Sequence, residues 1–246
     1  KETSSSEKKG GNKEDEDKMS EFEQEVSMLD KFRSEYIVHF YGAVFIPTKV
    51  CMVTEFAKYG SLRDLIEQRV NNPIDMKMRV KILLDAALGI SYLHSNGILH
   101  RDIKPDNILV VSLDINDSVH GKLTDFGSSR NINMLMTNMT FTKGIGTPKY
   151  MSPEVLCKEK YKKAADVYSF SITMYSCMVW GDPFPKTLYP HPWDIADMIV
   201  KGERPSLGSV SDNMKRVIEN TWKQDSIQRI NNNEVVSQLE SVYDMM

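Results

Sequence analysis

The chain has 246 residues, 41% of them hydrophobic and 26% charged, with a net charge of −3. That length can bury a sizeable core in one domain or two; the mild acidity advertises no nucleic acid or anionic membrane, and no apolar run nears the roughly 18 residues of a membrane span. Three scattered cysteines (Cys51, Cys157, Cys177) without a histidine cluster argue against a disulfide framework or a zinc site and suit a reducing, cytoplasmic setting.

Residues 1–21 carry Ser, Gly and interleaved charge, and so little apolar surface that a mobile linker is expected. Phe22, Val26, Leu29 and Phe32 then follow at steps of four, three and three, the spacing of one helix face, with Glu25 one turn before Leu29. Tyr36–Phe45 and Val50–Phe56 read as two strands joined by a turn at Pro47. Ser61, with Asp64 three residues on, predicts a capped helix over Leu62–Arg69. A stripe of Ile82, Leu83, Ala86, Ala87, Ile90 and Leu93 predicts a helix within 74–95 that stops at Asn96-Gly97. A hairpin over 108–124 follows, its tip at 113–121 read as a plain loop. Beyond Ala164 the pattern is mainly helical, and four prolines between 183 and 192 mark a long loop before a helix over Trp193–Lys201. No internal repeat or heptad run is present.

The run from His100 to Leu109, HRDIKPDNIL, followed by Asp125-Phe126-Gly127, carries the chemistry. It sets an acid for a hydroxyl proton (Asp102), a lysine for phosphate (Lys104) and two oxygen ligands for a hard cation (Asn107 and Asp125) within one short hairpin. Phosphoryl transfer needs those parts: an oriented nucleophile, Mg²⁺ held by oxygens, and positive charge on the migrating group. The plain alternative for Arg101 and Asp102 is a surface ion pair, and the joint spacing speaks against it. His100 is read as a packed structural histidine and not as a catalyst.

The pattern resembles the catalytic and metal-binding loops of eukaryotic protein kinases. Gly146-Thr147-Pro148-Lys149-Tyr150-Met151-Ser152-Pro153-Glu154 resembles the end of their activation segment, with Ser152 where alanine is usual. Asp166-Val167-Tyr168-Ser169-Phe170 resembles the start of their large central helix, and Ser171 stands where glycine is usual. The resemblance implies an α+β, bilobal fold, with residues 22–56 as what is present of the β-rich lobe and 57–246 as the helical lobe. It implies ATP and Mg²⁺ as cofactors and protein substrates as partners. Asp102 would orient the acceptor hydroxyl, Lys104 would neutralise the γ-phosphate, and Asn107 with Asp125 would hold magnesium. Thr147 would complete the acceptor site, and Glu25 would pair with a lysine on the phosphates. Thr54 would be the gatekeeper, Glu55 and Ala57 would offer backbone bonds to adenine, and Leu109 would lie beneath the ring. Arg101 would clamp a phosphorylated Thr137, Thr140 or Thr142. Leu29, Phe40, His100 and Phe126 would stack as a column, Asp166 would brace the His100-Arg101 backbone, and Glu154 would pair with Arg229. Lys104 and Thr147 resemble serine/threonine kinases, while Val53-Thr54-Glu55-Phe56 and Gly60-Ser61-Leu62 look like the tyrosine-kinase-like group that includes the Raf and mixed-lineage kinases.

Two expected pieces are not spelled in this sequence: a Gly-rich phosphate loop and a Val-Ala-Ile-Lys strand. Lys8, Lys9 and Lys13 precede Glu25, but their Ser, Gly and charged surroundings make no strand, and none is assigned that lysine's role. Two readings follow. In one, the chain is a protein serine/threonine kinase domain whose first strands lie upstream of it. In the other, it is a catalytically impaired binding or scaffold module.

Overall fold

The computed structural model describes residues 26–27, 29–46, 49–131 and 148–246. Glu25, Thr137, Thr140, Thr142 and Thr147 lie outside the described residues, as do residues 1–21 and the turn at Pro47. The class is α+β, with short antiparallel strand pairs in the first half and helices dominating the second.

Residues 29–31 are helical, and Leu29 and Phe32 are buried, as the helical spacing requires. Strands β1 (Phe40–Ile46) and β2 (Lys49–Thr54) pair antiparallel. The apolar pattern predicts the first strand from Tyr36, yet it begins at Phe40, because the preceding residues serve another partner. The Leu123 N–H donates to the Tyr36 carbonyl at 2.9 Å, and the Val38 N–H donates to the Leu123 carbonyl at 2.9 Å. Backbone pairing is thus spent on the strand segment at Leu123 that leads to Asp125, not on extending β1.

Helix α1 (Leu62–Gln68) starts at a reciprocal cap: Ser61 Oγ accepts from the Asp64 N–H at 3.1 Å, and Asp64 Oδ2 accepts from the Ser61 N–H at 2.9 Å. Helix α2 (Met76–Ser95) is capped by Asp75 and ends before Gly97, whose φ is +72°. It is followed by β3 (Ile98–Leu99), β4 (Ile108–Val110), β5 (Gly121–Leu123) and β6 (Arg130–Asn131). β4 pairs with β5, and β3 with β6. Two glycines let α2 lie directly on this hairpin. A Cβ at Gly89 would meet the Tyr36 carbonyl at 2.9 Å, and one at Gly121 would meet the Ile82 carbonyl at 2.7 Å.

The tip joining β4 to β5 is fastened, not a plain loop. Asp85 of α2 is fully buried and accepts from the N–H groups of His120 (2.7 Å) and Gly121 (3.2 Å), while Lys81 donates to Asp85 and to the Ser118 carbonyl (2.8 Å). A buried carboxylate is stable only with such partners. Its carboxyl is nonetheless raised above the ordinary value, burial outweighing the hydrogen bonds of Lys81 and His120.

Helices α3 (Pro153–Leu156), α4 (Lys163–Val179), α5 (Pro192–Val200), α6 (Asp212–Thr221) and α7 (Asn232–Asp244) complete the chain. Fourteen of the seventeen residues of α4 are buried, so packing surrounds it on every side. Three of its aliphatic hydroxyls find carbonyls inside the core: Ser169 donates to Tyr150 (2.8 Å), Ser171 to Tyr168 (2.6 Å) and Thr173 to Ser169 (3.0 Å). Ser171 therefore fits where glycine is usual. Trp180 ends α4 in the left-handed region (φ +55°), held there by an Nε1–H bond to the Arg69 carbonyl (2.9 Å) and by the Arg79 guanidinium over its ring (4.4 Å).

Near the start of α4 a buried ion pair ties distant segments together. Arg229 reaches both oxygens of Glu154 at 2.6 and 2.7 Å and donates to the Lys223 and Ala164 carbonyls at 2.8 and 3.0 Å. Burial acts to raise the Glu154 carboxyl, but the hydrogen bond and charge of Arg229 outweigh it and hold it below the ordinary value. A depressed carboxyl stabilises the fold above its unfolded pKa, and that contribution is lost as pH falls through the folded pKa. Arg229→Ala leaves the carboxylate buried and unpaired, at a cost of about 3–5 kcal/mol. Without the arginine only the bonds from the Glu154 backbone and Ser152 still oppose burial, so the Glu154 contribution to the pH slope shrinks. Urea unfolding of both proteins from neutral pH down through the carboxylate range will read the loss and the changed slope.

Candidate active site

The site is built outward from one buried carboxylate. Asp166, in the first turn of α4, is wholly buried; its Oδ2 accepts from the His100 N–H (3.0 Å) and His94 Nε2 (2.9 Å), and its Oδ1 from the Arg101 N–H (2.9 Å) and the Tyr161 hydroxyl (2.8 Å). Burial favours the neutral acid, but the hydrogen bond and charge of His94, with His100 and the Arg101 N–H, outweigh it and keep the carboxyl below its ordinary value. Arg101 takes φ +72°, a backbone state that costs a non-glycine residue of order 1–3 kcal/mol. The N–H bonds of His100 and of Arg101 itself to Asp166 hold the backbone there.

The turn at Arg101 delivers Asp102 to an ordered cluster. Lys104 Nζ lies 2.6 Å from Asp102 Oδ2, and both side chains keep about a fifth of their surface exposed (21% and 22%). Asn107 Nδ2 donates to Asp102 Oδ2 (3.0 Å) and to the Asp102 carbonyl (2.8 Å), which leaves its Oδ1 directed elsewhere. Asp102 is thus held from two sides by donors and still reachable.

Asp125 enters through the hairpin. The β4–β5 pairing ends at Ile108 opposite Leu123, and one step further the Thr124 N–H donates to the Asn107 carbonyl at 3.1 Å. Asn107 and Asp125 therefore leave the hairpin at the same end, and Asp125 bends there with φ +62°. Beside it, His100 Nε2 donates to the Thr124 carbonyl (3.0 Å), so Nδ1 is left as the acceptor facing the Asp102 N–H (3.4 Å). His100 joins the loop of Asp102 to the segment of Asp125 without meeting solvent. Phe126 is fully buried between His100 (ring centroids 5.2 Å) and Phe32 (5.4 Å). Leu29 and Phe40 belong to the same core, but the aromatic ring against Phe126 on its other side is Phe32, a contact not expected from the sequence.

Among the described residues no group of three or more His, Cys, Asp or Glu could hold a metal. A cation at this end of the hairpin would rest on one carboxylate, one amide oxygen and the oxygens of a bound phosphate. Those are hard ligands that leave room for water, a set that fits magnesium and not zinc.

On the other side of the hairpin, Thr54 closes β2, Leu109 sits half-buried in the middle of β4, and the chain turns at 55–60. The Ala57 carbonyl accepts from the Gly60 N–H (3.2 Å), while the Ala57 N–H and Glu55 carbonyl have no partner among the described residues. The Glu55 side chain is occupied: it accepts from the His39 N–H (2.7 Å) and from Lys122 Nζ of β5 (2.8 Å to each oxygen). Pro148–Tyr150 form a 3₁₀ turn, Ser152 stands at the N-cap position of α3 without a side-chain cap bond, and Glu154 in its first turn pairs with Arg229.

Three contributors escape sequence reasoning. Tyr161 and Lys122 have no periodic signal that marks them. His94 lies four residues after Ile90, on the inner face of α2, so its burial at least was readable.

Comparison with known proteins agrees with this geometry. The family model described as "Protein kinase domain" matches residues 5–239. The Dictyostelium discoideum protein named "Probable serine/threonine-protein kinase gdt9" is 33% identical over 232 residues, covering 82% of this chain and 14% of that protein. "Serine/threonine-protein kinase STY46" of Arabidopsis thaliana is 33% identical over 230 residues, covering 93% of this chain and 38% of its own length. "Dual specificity protein kinase shkC" of Dictyostelium discoideum is 33% identical over 230 residues, covering 91% of this chain and 44% of its own length. The chain spans less than half the length of each of these relatives. A family match over nearly the whole chain, with relatives at this identity, shows that the chain belongs to the protein kinase domain family.

Proposed function

We propose that this chain is the catalytic domain of an ATP- and magnesium-dependent serine/threonine kinase of the tyrosine-kinase-like group that phosphorylates protein substrates. The observation that carries the reading is the convergence of Lys104 and Asn107 on a single oxygen of Asp102, at 2.6 and 3.0 Å, beside the hairpin end that presents Asp125. An acid held in that way is poised to orient an alcohol, and orientation matters more than basicity in a loose transition state.

Each residue then has a task. Asp102 Oδ1 accepts the hydroxyl hydrogen of the acceptor and takes the proton late in transfer. Lys104 moves its charge between Asp102 and the phosphoryl oxygens. Asn107 Oδ1 and an Asp125 oxygen hold the magnesium, which when bound neutralises charge on the triphosphate. The Glu55 carbonyl and Ala57 N–H receive adenine, with Thr54 behind it and Leu109 beneath. Thr147 and the 148–150 turn flank the acceptor, and Arg101 receives a phosphate on Thr137, Thr140 or Thr142. Glu25 pairs with a lysine on the phosphates. Ser/Thr preference rests on Lys104 and on relatives named as serine/threonine kinases, while one relative bears a dual-specificity name, so the assay should offer a tyrosine peptide too. Three free thiols, two of them exposed, support a cytoplasmic setting. No helix among the described residues is long and apolar enough to cross a membrane.

Asp102→Asn is expected to lower phosphorylation of a generic serine peptide by about 10²–10⁴-fold with ATP affinity nearly unchanged. Radiolabel transfer and nucleotide titration measured side by side will check this; affinity falling as far as turnover would remove the assigned role. Asp125→Ala is expected to weaken nucleotide binding in magnesium by about tenfold or more and to leave metal-free binding unchanged. A calorimetric titration with and without magnesium reads the difference, and equal affinities for both proteins in magnesium would reject the metal assignment.

A further inference from the structure

Between α3 and α4 lies a feature that the proposed chemistry does not use. Residues 158–163 read Lys-Glu-Lys-Tyr-Lys-Lys, four lysines against one glutamate in a chain whose overall charge is negative. All four lysines are exposed, while Tyr161 in their midst is buried. Among the described residues, Lys160, Lys162 and Lys163 form no ion pair with an acid. Local stability does not explain them. Lys162 is the N-cap of α4 with no side-chain cap bond, and Lys163 opens the helix, where the backbone dipole already presents its positive end. Lysine is an unfavourable choice at both positions for the fold alone.

The strip is anchored to the catalytic loop. Tyr161 donates to Asp166 Oδ1 at 2.8 Å, the same oxygen that accepts the Arg101 N–H at 2.9 Å, and the Arg101 guanidinium lies over the Tyr161 ring at 5.7 Å. Whatever the lysines attract is therefore brought beside the residue that precedes Asp102. Bent around a buried tyrosine and only six residues long, the strip suits a short run of anionic side chains. It offers no exposed aromatic on which nucleic-acid bases would stack.

We propose that Lys160, Lys162 and Lys163, with Lys158 beside them, form a docking strip for an acidic segment of the protein substrate, carboxylate- or phosphate-bearing, close to the acceptor residue. The proposal rests on the kinase reading and names its substrate class: serine or threonine flanked by acidic residues. Charge attraction at exposed sites is modest per pair and adds up over several pairs.

The direct test is binding, which needs no turnover. Fluorescence anisotropy on the chain would use three labelled serine peptides, flanked by four glutamates, by four phosphoserines or by four glutamines. Both acidic peptides are expected to bind about tenfold tighter than the glutamine peptide. Raising salt from about 0.1 to about 1 M, which shortens the screening length from about 10 Å to about 3 Å, should abolish the difference. The variant K160S/K162S/K163S should lose it at low salt while its melting temperature holds or rises, since serine is a better N-cap at 162. Tighter binding of the phosphoserine peptide alone would assign the strip to phosphorylated segments and keep the proposal. Equal affinity for all three peptides, unaltered preference in the folded variant, or lysine-dependent binding to phosphatidylserine vesicles in place of peptide would overturn it. Phosphorylation of the acidic and glutamine peptides at equal kcat/KM would sink the docking strip and leave the kinase reading intact. Acidic-peptide binding without phosphoryl transfer by the full-length protein would do the reverse.

Discussion

The Asp166 carboxylate is the interaction on which the rest of the site depends. It sits wholly inside the protein, at the start of the most buried helix, and four donors from three other segments meet on its two oxygens. Removing a charge from water is costly, and only the donors make it tolerable. In return the carboxylate fixes a backbone bend that Arg101 would not choose for itself. The position of Asp102 follows from that bend, and the positions of Lys104 and Asn107 follow from Asp102. The order of causes runs from helix to carboxylate to bend to cluster.

Much of this was legible in the sequence because it is local. A capping pair such as Ser61 and Asp64 acts over three residues, and the stripe in α2 repeats every three or four, so both helices could be placed from pattern alone. The chemistry of the hairpin was legible for the same reason: its acid, amide and lysine lie within six residues of one another. What stayed hidden depends on partners far along the chain. Tyr36 was read into a strand because its neighbours alternate, and only the presence of Leu123, remote in sequence, draws that segment away. The tip at 113–121 looked like filler until Asp85 was seen to collect its N–H groups. That Phe32 lies against Phe126 depends on how two distant segments pack, and periodicity does not decide that.

Several polar groups inside the core share one role. Ser169, Ser171 and Thr173 of α4 each donate to a carbonyl one turn back or on a neighbouring segment, and Arg229 places its donors on a carboxylate and three carbonyls. Such groups add little net energy compared with packed apolar side chains, but each is costly to leave alone. They fix register: the bond from Ser169 to the Tyr150 carbonyl sets the height at which the 148–150 turn rests on the helix, and the Glu154 pair sets where α3 begins.

The contact between Glu55 and Lys122 has a mechanical consequence. Glu55 follows Thr54 at the end of one strand pair, and Lys122 belongs to the other, whose far end presents Asp125. With His39 gripping the same carboxylate, the two sheets are riveted at their common border. A tilt of one against the other would have to break that carboxylate's bonds, three residues before the acid at 125 on one strand and one residue after Thr54 on the other.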